Sequence, residues 1–331
     1  MCPEFEILKI TVTQVNPAAG GRGDAVPAKV ETAGPAQATR PLPVDTKEVS
    51  GGSSSVRVII FGDESGPGNL LGARGVAVSP DKIWVADQTK ARLQVYNMAG
   101  AFQHEFPQEA PGLGYPGKRP VDVSIDRDGH IWVLMTGYPA SADRVVQLDR
   151  EGHLKANFEL PDNVPRGATR GMAVGLHNDH VFVTWSDTLY SGGVQAFQPD
   201  GKLLWGVGPQ QGMKMPMHVA ANEEGNVYVS DYNFHYVYVY DASGRYVLKF
   251  GGPGRSGGRL NRPRGICVDG SGHVLVVDSE SRRVVMYSGR GTYIRDIALP
   301  RRAEYPVGVA VGPGGQLVVL NKNTIVVFPR Y

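Results

Sequence analysis

The sequence predicts an all-β fold, a six-bladed β-propeller with four antiparallel strands per blade, and three observations predict it. Residues 261–287 recur in five further imperfect copies, the copies are spaced by 43 to 49 residues, and each breaks into short runs rich in Val, Ile and Tyr separated by Gly, Asp, Asn and Ser. Runs of that length between such turn residues are hairpin-connected strands. A period of about 40 to 50 residues with four strands per unit is the mark of propeller blades.

In the clearest unit the first strand is residues 265–268, following Pro263, and a turn cluster occupies 269–273. A second apolar run at 274–277 leads into a polar loop at 278–283; a third run at 284–287, a turn at 288–291 and a fourth strand at 292–299 complete the sheet. The copies align on Gly75, Asp122, Gly171, His218, Gly265 and Gly308, at intervals of 47, 49, 47, 47 and 43 residues. Small residues dominate the first strands, as in Gly75-Val-Ala-Val78 and Gly308-Val-Ala-Val311, and the crowded axis of a propeller requires them. Trp84, Trp132, Phe182, Tyr228, Leu275 and Val318 share one position on the second strands and are expected in the core between blades. Asp87, Asp231 and Asp278 end three second strands beside a tight loop, where a short carboxylate accepts backbone N–H bonds; their recurrence points to scaffolding rather than catalysis.

The whole pattern closely resembles the NHL repeat: Pro-x-Gly before an apolar run, then a hydrophobic-Val-x-Asp strand, then a loop ending in a basic or aromatic residue and an apolar run closed by Tyr or Phe. The resemblance covers residues 56–331 and is weaker in units two, three and six, where Met135, Trp185 and Asn321 stand at the Asp position. Neither an Asn-His-Leu triplet nor a Trp-Asp dipeptide occurs, and the second absence counts against the WD type of propeller. Among NHL proteins the pattern is most similar to the C-terminal propellers of tripartite-motif ubiquitin ligases. That resemblance implies a non-catalytic recognition module for a protein or single-stranded RNA, with ligation carried by a RING and coiled coil. With only Cys2 and Cys267, the 331 residues lack the cysteines of a RING, so ubiquitin ligation is expected by kinship only. Both a truncated family member and a stand-alone adaptor stay open.

The chain divides at residue 55. Residues 5–15 alternate like a strand remnant, and 16–55 are dominated by Ala, Gly, Pro, Thr and Ser, which bury too little surface to offset ordering entropy; residues 1–55 are therefore expected to be a flexible segment and linker. The tripeptide Arg22-Gly23-Asp24 is expected to be coincidental. Residues 58–62 match 247–251, the fourth strand of unit four, while unit six has only three strands of its own. The first strand of the 56–331 propeller is thus expected to complete the last blade, removing an open sheet edge. Without a signal-peptide start or an apolar run of about 18 residues, the protein is expected to be soluble and cytoplasmic, without a membrane partner, and the propeller monomeric. Two cysteines also exclude a disulfide framework or a multi-Cys zinc module, and Cys267 reads as a small core residue.

Blade connectivity puts the links between blades and the second-to-third-strand loops on one face, the top. Those segments carry Arg74, Lys118, Arg119, Arg170, Arg262 and Arg264, joined by Arg92, Arg282 and Arg283, whereas the opposite turns are acidic. The net charge of +2 is too small to declare a nucleic-acid binder, but such polarisation favours an acidic or phosphate-bearing partner. Tyr232, Phe234 and His235, together with Tyr115, Tyr138, Trp185, Tyr190, Tyr236 and Tyr305, lie in the same loops, and His218 begins a first strand. Aromatic rings there are suited to stacking on bases or to anchoring a protein. The structural alternative is that Arg residues flanking the blades cap carbonyls or pair with the blade Asp.

An enzyme alternative is an NHL-like amidating lyase with a central zinc held by several His. His218 and His235 are placed on the top and His130, His180 and His273 on the other face, so two convergent His make a poor zinc site. The Gly-rich segment 251–258 lacks the Lys-Ser/Thr of a phosphate loop. No catalytic residue, metal or cofactor is expected.

Overall fold

A computed structural model of the chain describes residues 45–49, 56–62, 66–107, 117–137, 143–161, 170–187 and 191–331. Six antiparallel sheets form the ring. Blade one comprises Ala73–Val78, Lys82–Asp87, Arg92–Asn97 and Phe102–Pro107, and blade two Lys118–Ile125, Ile131–Gly137, Arg144–Leu148 and Leu154–Glu159. Blade three comprises Met172–Val174, Val181–Ser186, Gly192–Phe197 and Leu203–Val207, and blade four Pro216–Ala221, Val227–Asp231, Tyr236–Tyr240 and Tyr246–Gly251. Blade five comprises Pro263–Val268, Val274–Asp278, Arg283–Tyr287 and Tyr293–Ala298. Blade six has Pro306–Val311, Leu317–Asn321 and Ile325–Phe328, and Val56–Phe61 pairs with the last of these, Ile60 opposite Val326.

The N-terminal strand therefore closes the ring, as its likeness to residues 247–251 predicts. A further strand, Asp45–Val49, pairs outside it, with Asp45 opposite Ile60 and Val49 opposite Val56. It falls in the stretch expected as linker; residues 1–44, including the 5–15 run, lie outside the described residues. None of the described helices is long and apolar enough to cross a membrane.

Packing follows from the alternation of the strands. The buried apolar side chains form six clusters, each straddling one blade boundary. Trp84 of blade one packs with Val123, Ile131 and Met135 of blade two and stacks on Phe106, ring centroids 6.0 Å apart. Val58 and Ile60 of the closing strand are buried against Leu275 and Val284 of blade five, so closure buries apolar surface as well as pairing an edge. Truncating an aromatic in such a position costs about 3–5 kcal/mol.

The loops on the top face are gathered by the three recurrent carboxylates. Asp87 accepts the Leu71 N–H at 3.0 Å, Asp231 the N–H groups of Lys214, Met215, Asn233 and Phe234 at 2.7–3.3 Å, and Asp278 the Asn261 N–H at 2.8 Å. The bonds from Leu71, Lys214, Met215 and Asn261 tie the link from the preceding blade to the end of the second strand, and those from Asn233 and Phe234 close the loop that follows it. All three carboxylates are fully buried, so satisfying these donors by an interior acceptor replaces the water they lose. In blade five the loop-ending Arg283, also buried, donates Nε to Asp278 at 2.9 Å and Nη1 to Asp296 at 2.5 Å.

Breaking a buried ion pair from one side leaves the other charge uncompensated. Arg283→Met is expected to lower unfolding free energy by about 3 kcal/mol in urea denaturation. The neighbouring Arg282, exposed and in the left-handed region at φ 52°, is expected to tolerate glycine without loss. A loss at position 283 no larger than at 282 would contradict the account.

Candidate recognition face

The shared face of the links and second-to-third-strand loops is fixed by their hydrogen bonds: Tyr232 N–H donates to the Met215 carbonyl at 3.0 Å and Glu280 N–H to the Asn261 carbonyl at 3.3 Å. The first-to-second-strand turns are built differently. Asp126 and Asp269 accept the backbone N–H of His130 and His273, and the same imidazoles lie 2.9 and 3.0 Å from those carboxylates through Nδ1. These His–Asp pairs are turn closures.

The sequence-predicted basic residues separate into two groups. Arg74, Arg119, Arg262 and Arg282 are exposed, and Arg92 and Arg264 are half-buried. Lys118, Arg170 and Arg283 are buried. Lys118 Nζ lies 3.8 Å from Asp143 and Arg170 pairs with the same carboxylate, so two cations expected on the surface bridge a blade link to a loop of blade two. Arg92 pairs with Glu105 and donates to the Asn69 carbonyl at 2.7 Å, the carbonyl-capping role that competes with partner binding. Tyr115, Tyr138 and Tyr190 lie outside the described residues.

Blades four and five bring the remaining candidates together. The Tyr232 ring is flanked by two guanidinium groups, Arg262 at 5.3 Å and Arg264 at 4.9 Å from its centroid. Arg262 also donates to the Tyr232 hydroxyl at 3.3 Å and pairs with Glu280 at 3.4 Å. Its backbone N–H donates to His235 Nδ1 at 2.9 Å, which makes Nε2 the protonated nitrogen of the neutral ring. Burial, and then the Arg262 charge, hold the His235 pKa below its ordinary value. Lys214 Nζ sits 4.8 Å from the Phe234 centroid.

At the axis the aligned positions meet. A Cβ on Gly75 would lie 2.5 Å from Asp122 Cα, one on Gly171 2.7 Å from His218 Cα, and one on Gly265 2.7 Å from Gly308 Cα. The ring is thus closed by backbone contact, and of the six aligned residues only Asp122 and His218 bear a side chain. They face each other, His218 Nδ1 at 3.7 Å from Asp122 Oδ2, and line a cavity of about 180 Å³ walled by Val76, Val123, Val219 and Val309. Asp122 accepts the N–H groups of Met172 at 2.7 Å and Val123 at 2.9 Å. Burial nonetheless pushes its pKa up to about 7, while burial, Arg264 and Arg74 push that of His218 down to about 4. Cys267 lines the same cavity, and burial raises its thiol pKa. Sequence reasoning aligned Asp122 and His218 at the same repeat position but missed their pairing. The available signal was that these are the two departures from glycine among the six aligned positions.

The NHL repeat model matches residues 260–287. The chain is a six-bladed propeller with an NHL repeat at blade five. Over 107 residues it is 28% identical to the protein brain tumor of Drosophila melanogaster, spanning 32% of this chain and 10% of that protein. Over 47 residues, 14% of this chain and 6% of the relative, it is 43% identical to the E3 ubiquitin-protein ligase TRIM71 of Xenopus tropicalis. The matches thus cover a small part of each relative's length. The fold is similar to a gluconolactonase of Xanthomonas campestris (TM-score 0.61, 14% identity, 87% of this chain and 98% of that one). It is also similar to virginiamycin B lyase of Staphylococcus aureus (TM-score 0.58, 16% identity, 82% and 98%). At such identity these two likenesses concern the fold alone.

Within the ring the axial histidine gives a pH signature. His218 is neutral in the folded chain down to about pH 4 but binds a proton below about 6.5 when unfolded. The unfolded state therefore holds the extra proton between these values, and the stability His218 contributes is present above 6.5 and lost as pH falls toward 4. His218→Gly, which restores the residue of the other glycine positions, is expected to remove that dependence. Measured by urea unfolding, its stability relative to the parent should fall as pH rises from 4.5 to 7; a constant difference would contradict the assignment.

Proposed function

We propose that the propeller is a non-catalytic recognition module that binds a protein partner on the top face of blades four and five. The observation that carries this reading is the Arg262–Tyr232–Arg264 stack. Tyr and Arg dominate the energetics of protein interfaces, and here each is held in place before a partner arrives. The stack also bears on the alternative of single-stranded RNA. Base recognition needs open aromatic faces, and Tyr232 is flanked by guanidinium groups while Phe234 has the Lys214 ammonium over its ring. Several cations that would track a phosphate backbone are instead spent on Asp143, Glu105 and Asp278.

One relative is by name an E3 ubiquitin-protein ligase. In a system of that kind, this module's part is selection of the substrate. The zinc-lyase alternative needs a cluster of ligands. His218 and His235 have separate partners, and among the described residues no three of His, Cys, Asp or Glu are grouped to hold a metal ion.

Photo-crosslinking from position 232 of the full chain in extract of its source tests the reading, with protein and RNA adducts recovered separately. Protein adducts are expected, reduced at least ~10-fold by Arg262→Glu with Arg264→Glu, the loss of one or more interface anchors. RNA adducts in their place, or protein adducts indifferent to the charge reversal, would overturn it.

A further inference from the structure

We propose that the axial cavity binds a primary alkylammonium group, which enters from the face opposite the recognition face and is held at the closed end between Asp122 and His218. The site does not rest on the recognition reading above.

The lining shows which way the cavity opens. It begins at or just after the aligned position of each blade and runs down the first strand, from Asp122 to Ile125 in blade two and from His218 to Ala221 in blade four. None of the described link residues that precede the ring lines it, Arg74 and Arg264 included. Backbone contact at Gly75, Gly171 and Gly265 closes that end. The other end lies among the first-to-second-strand turns, where the lining residue Leu176 meets solvent. Three residue steps separate the ends, about 10 Å along a strand.

The closed end presents a buried carboxylate without a counter-ion in the lining. Each Asp122 oxygen accepts one backbone N–H, from Val123 at 2.9 Å and Met172 at 2.7 Å, and has a second lone pair to offer. His218 and Cys267 are the other titratable groups that line the cavity. Burial, then the Arg264 and Arg74 charges, keeps the imidazole neutral, and burial keeps the thiol protonated. The imidazole has no hydrogen-bond partner among the described residues, its Nδ1 standing 3.7 Å from Asp122 Oδ2, beyond bonding reach. One donor atom seated between them meets two acceptors, Oδ2 and, with the ring proton on Nε2, Nδ1. An ammonium nitrogen supplies those N–H groups and the opposite charge that a buried carboxylate needs.

The walls are apolar beyond this pair, with Val78, Ile125, Val268 and Val311 at the open end. A dry cavity of about 150 Å³ holds benzene, so one of about 180 Å³ takes a head group with a body of about five carbons. The turns around the open end attract a cation. Asp126, Asp128 and Asp179 gather there, and burial, followed by the charges of the other two, raises the Asp179 pKa.

The test is titration of the full chain, ¹⁵N-labelled, with n-pentylamine, with 1-pentanol as its neutral analogue and with pentanoate as the anion. The readout is the amides of Val123 and Met172 and the ring nitrogens of His218, with His235 as an internal reference. Pentylamine is expected to give saturable shifts at the first three residues and none at His235. Binding should be ~10-fold weaker at pH 6 than at pH 8, because Asp122, its pKa pushed up to about 7, is mostly ionised only at the higher pH. Asp122→Asn is expected to weaken pentylamine at least ~10-fold, the loss of a charge-assisted hydrogen bond. Ala221→Leu, which narrows the open end and leaves both polar groups in place, is expected to weaken it as well. Nα-acetyl-lysine methylamide is the second arm: binding as tight as the amine assigns the group to a lysine side chain, and binding of pentylamine alone assigns it to a free small amine. No saturable shift, an equal response to 1-pentanol, tighter binding of pentanoate, or indifference to both substitutions would overturn the proposal.

Discussion

A carboxylate at the end of a strand, buried and surrounded by backbone N–H groups, is the interaction on which the top face depends. Asp87, Asp231 and Asp278 each reach from the second strand to the link arriving from the preceding blade. A loop donor taken from water needs an acceptor, and a short side chain fixed at a strand end supplies one with little entropy to lose. Where the position is Asn321, the side chain divides its work, donating to the Arg302 carbonyl at 3.2 Å and accepting the Lys322 N–H at 2.6 Å. Where it is Met135 or Trp185, charge is gathered elsewhere: Asp143 collects Lys118 and Arg170. The loops best anchored by carboxylates are those of blades four and five, which also bear the stacked Tyr232 and its arginines.

Two other constraints complete the ring. The outer one is hydrophobic: one apolar cluster per blade boundary makes each blade's core half its neighbour's, so a blade has little to stand on alone. The inner one is steric. Glycines at the aligned axial positions let neighbouring backbones touch, and this close packing makes the two exceptions, Asp122 and His218, conspicuous. Polar side chains at an otherwise glycine ring have opposed burial effects, one carboxyl pushed up and one imidazole pushed down, which leaves both near their neutral forms around pH 6.

Blade number, strand positions, closure by residues 56–61 and the Trp84 family of core residues were all legible, because each repeats and periodicity averages out local ambiguity. Asp45–Val49 was not: Asp-Thr-Lys-Glu-Val is polar, occurs once, and gains its pairing only from the strand it lies beside. The site was legible in outline only. Arg282 and Arg283 are adjacent and chemically identical, yet one is exposed and the other is buried between Asp278 and Asp296. The direction of a long side chain is decided by partners far away in sequence, and Asp143, the partner of both Lys118 and Arg170, carries no repeat signature. Asp122 and His218 are 96 positions apart in the chain, two blades on, and only the closed ring sets them face to face.

The most direct test of the account is amide hydrogen exchange on the full chain with Asp231→Ala. Faster exchange, by ~10-fold or more, is predicted at Lys214, Met215, Asn233 and Phe234, with the strands Val227–Asp231 and Tyr236–Tyr240 still protected. Unchanged exchange at those four amides, or a uniform rise across blade four, would contradict the claim that these carboxylates hold the recognition face in place.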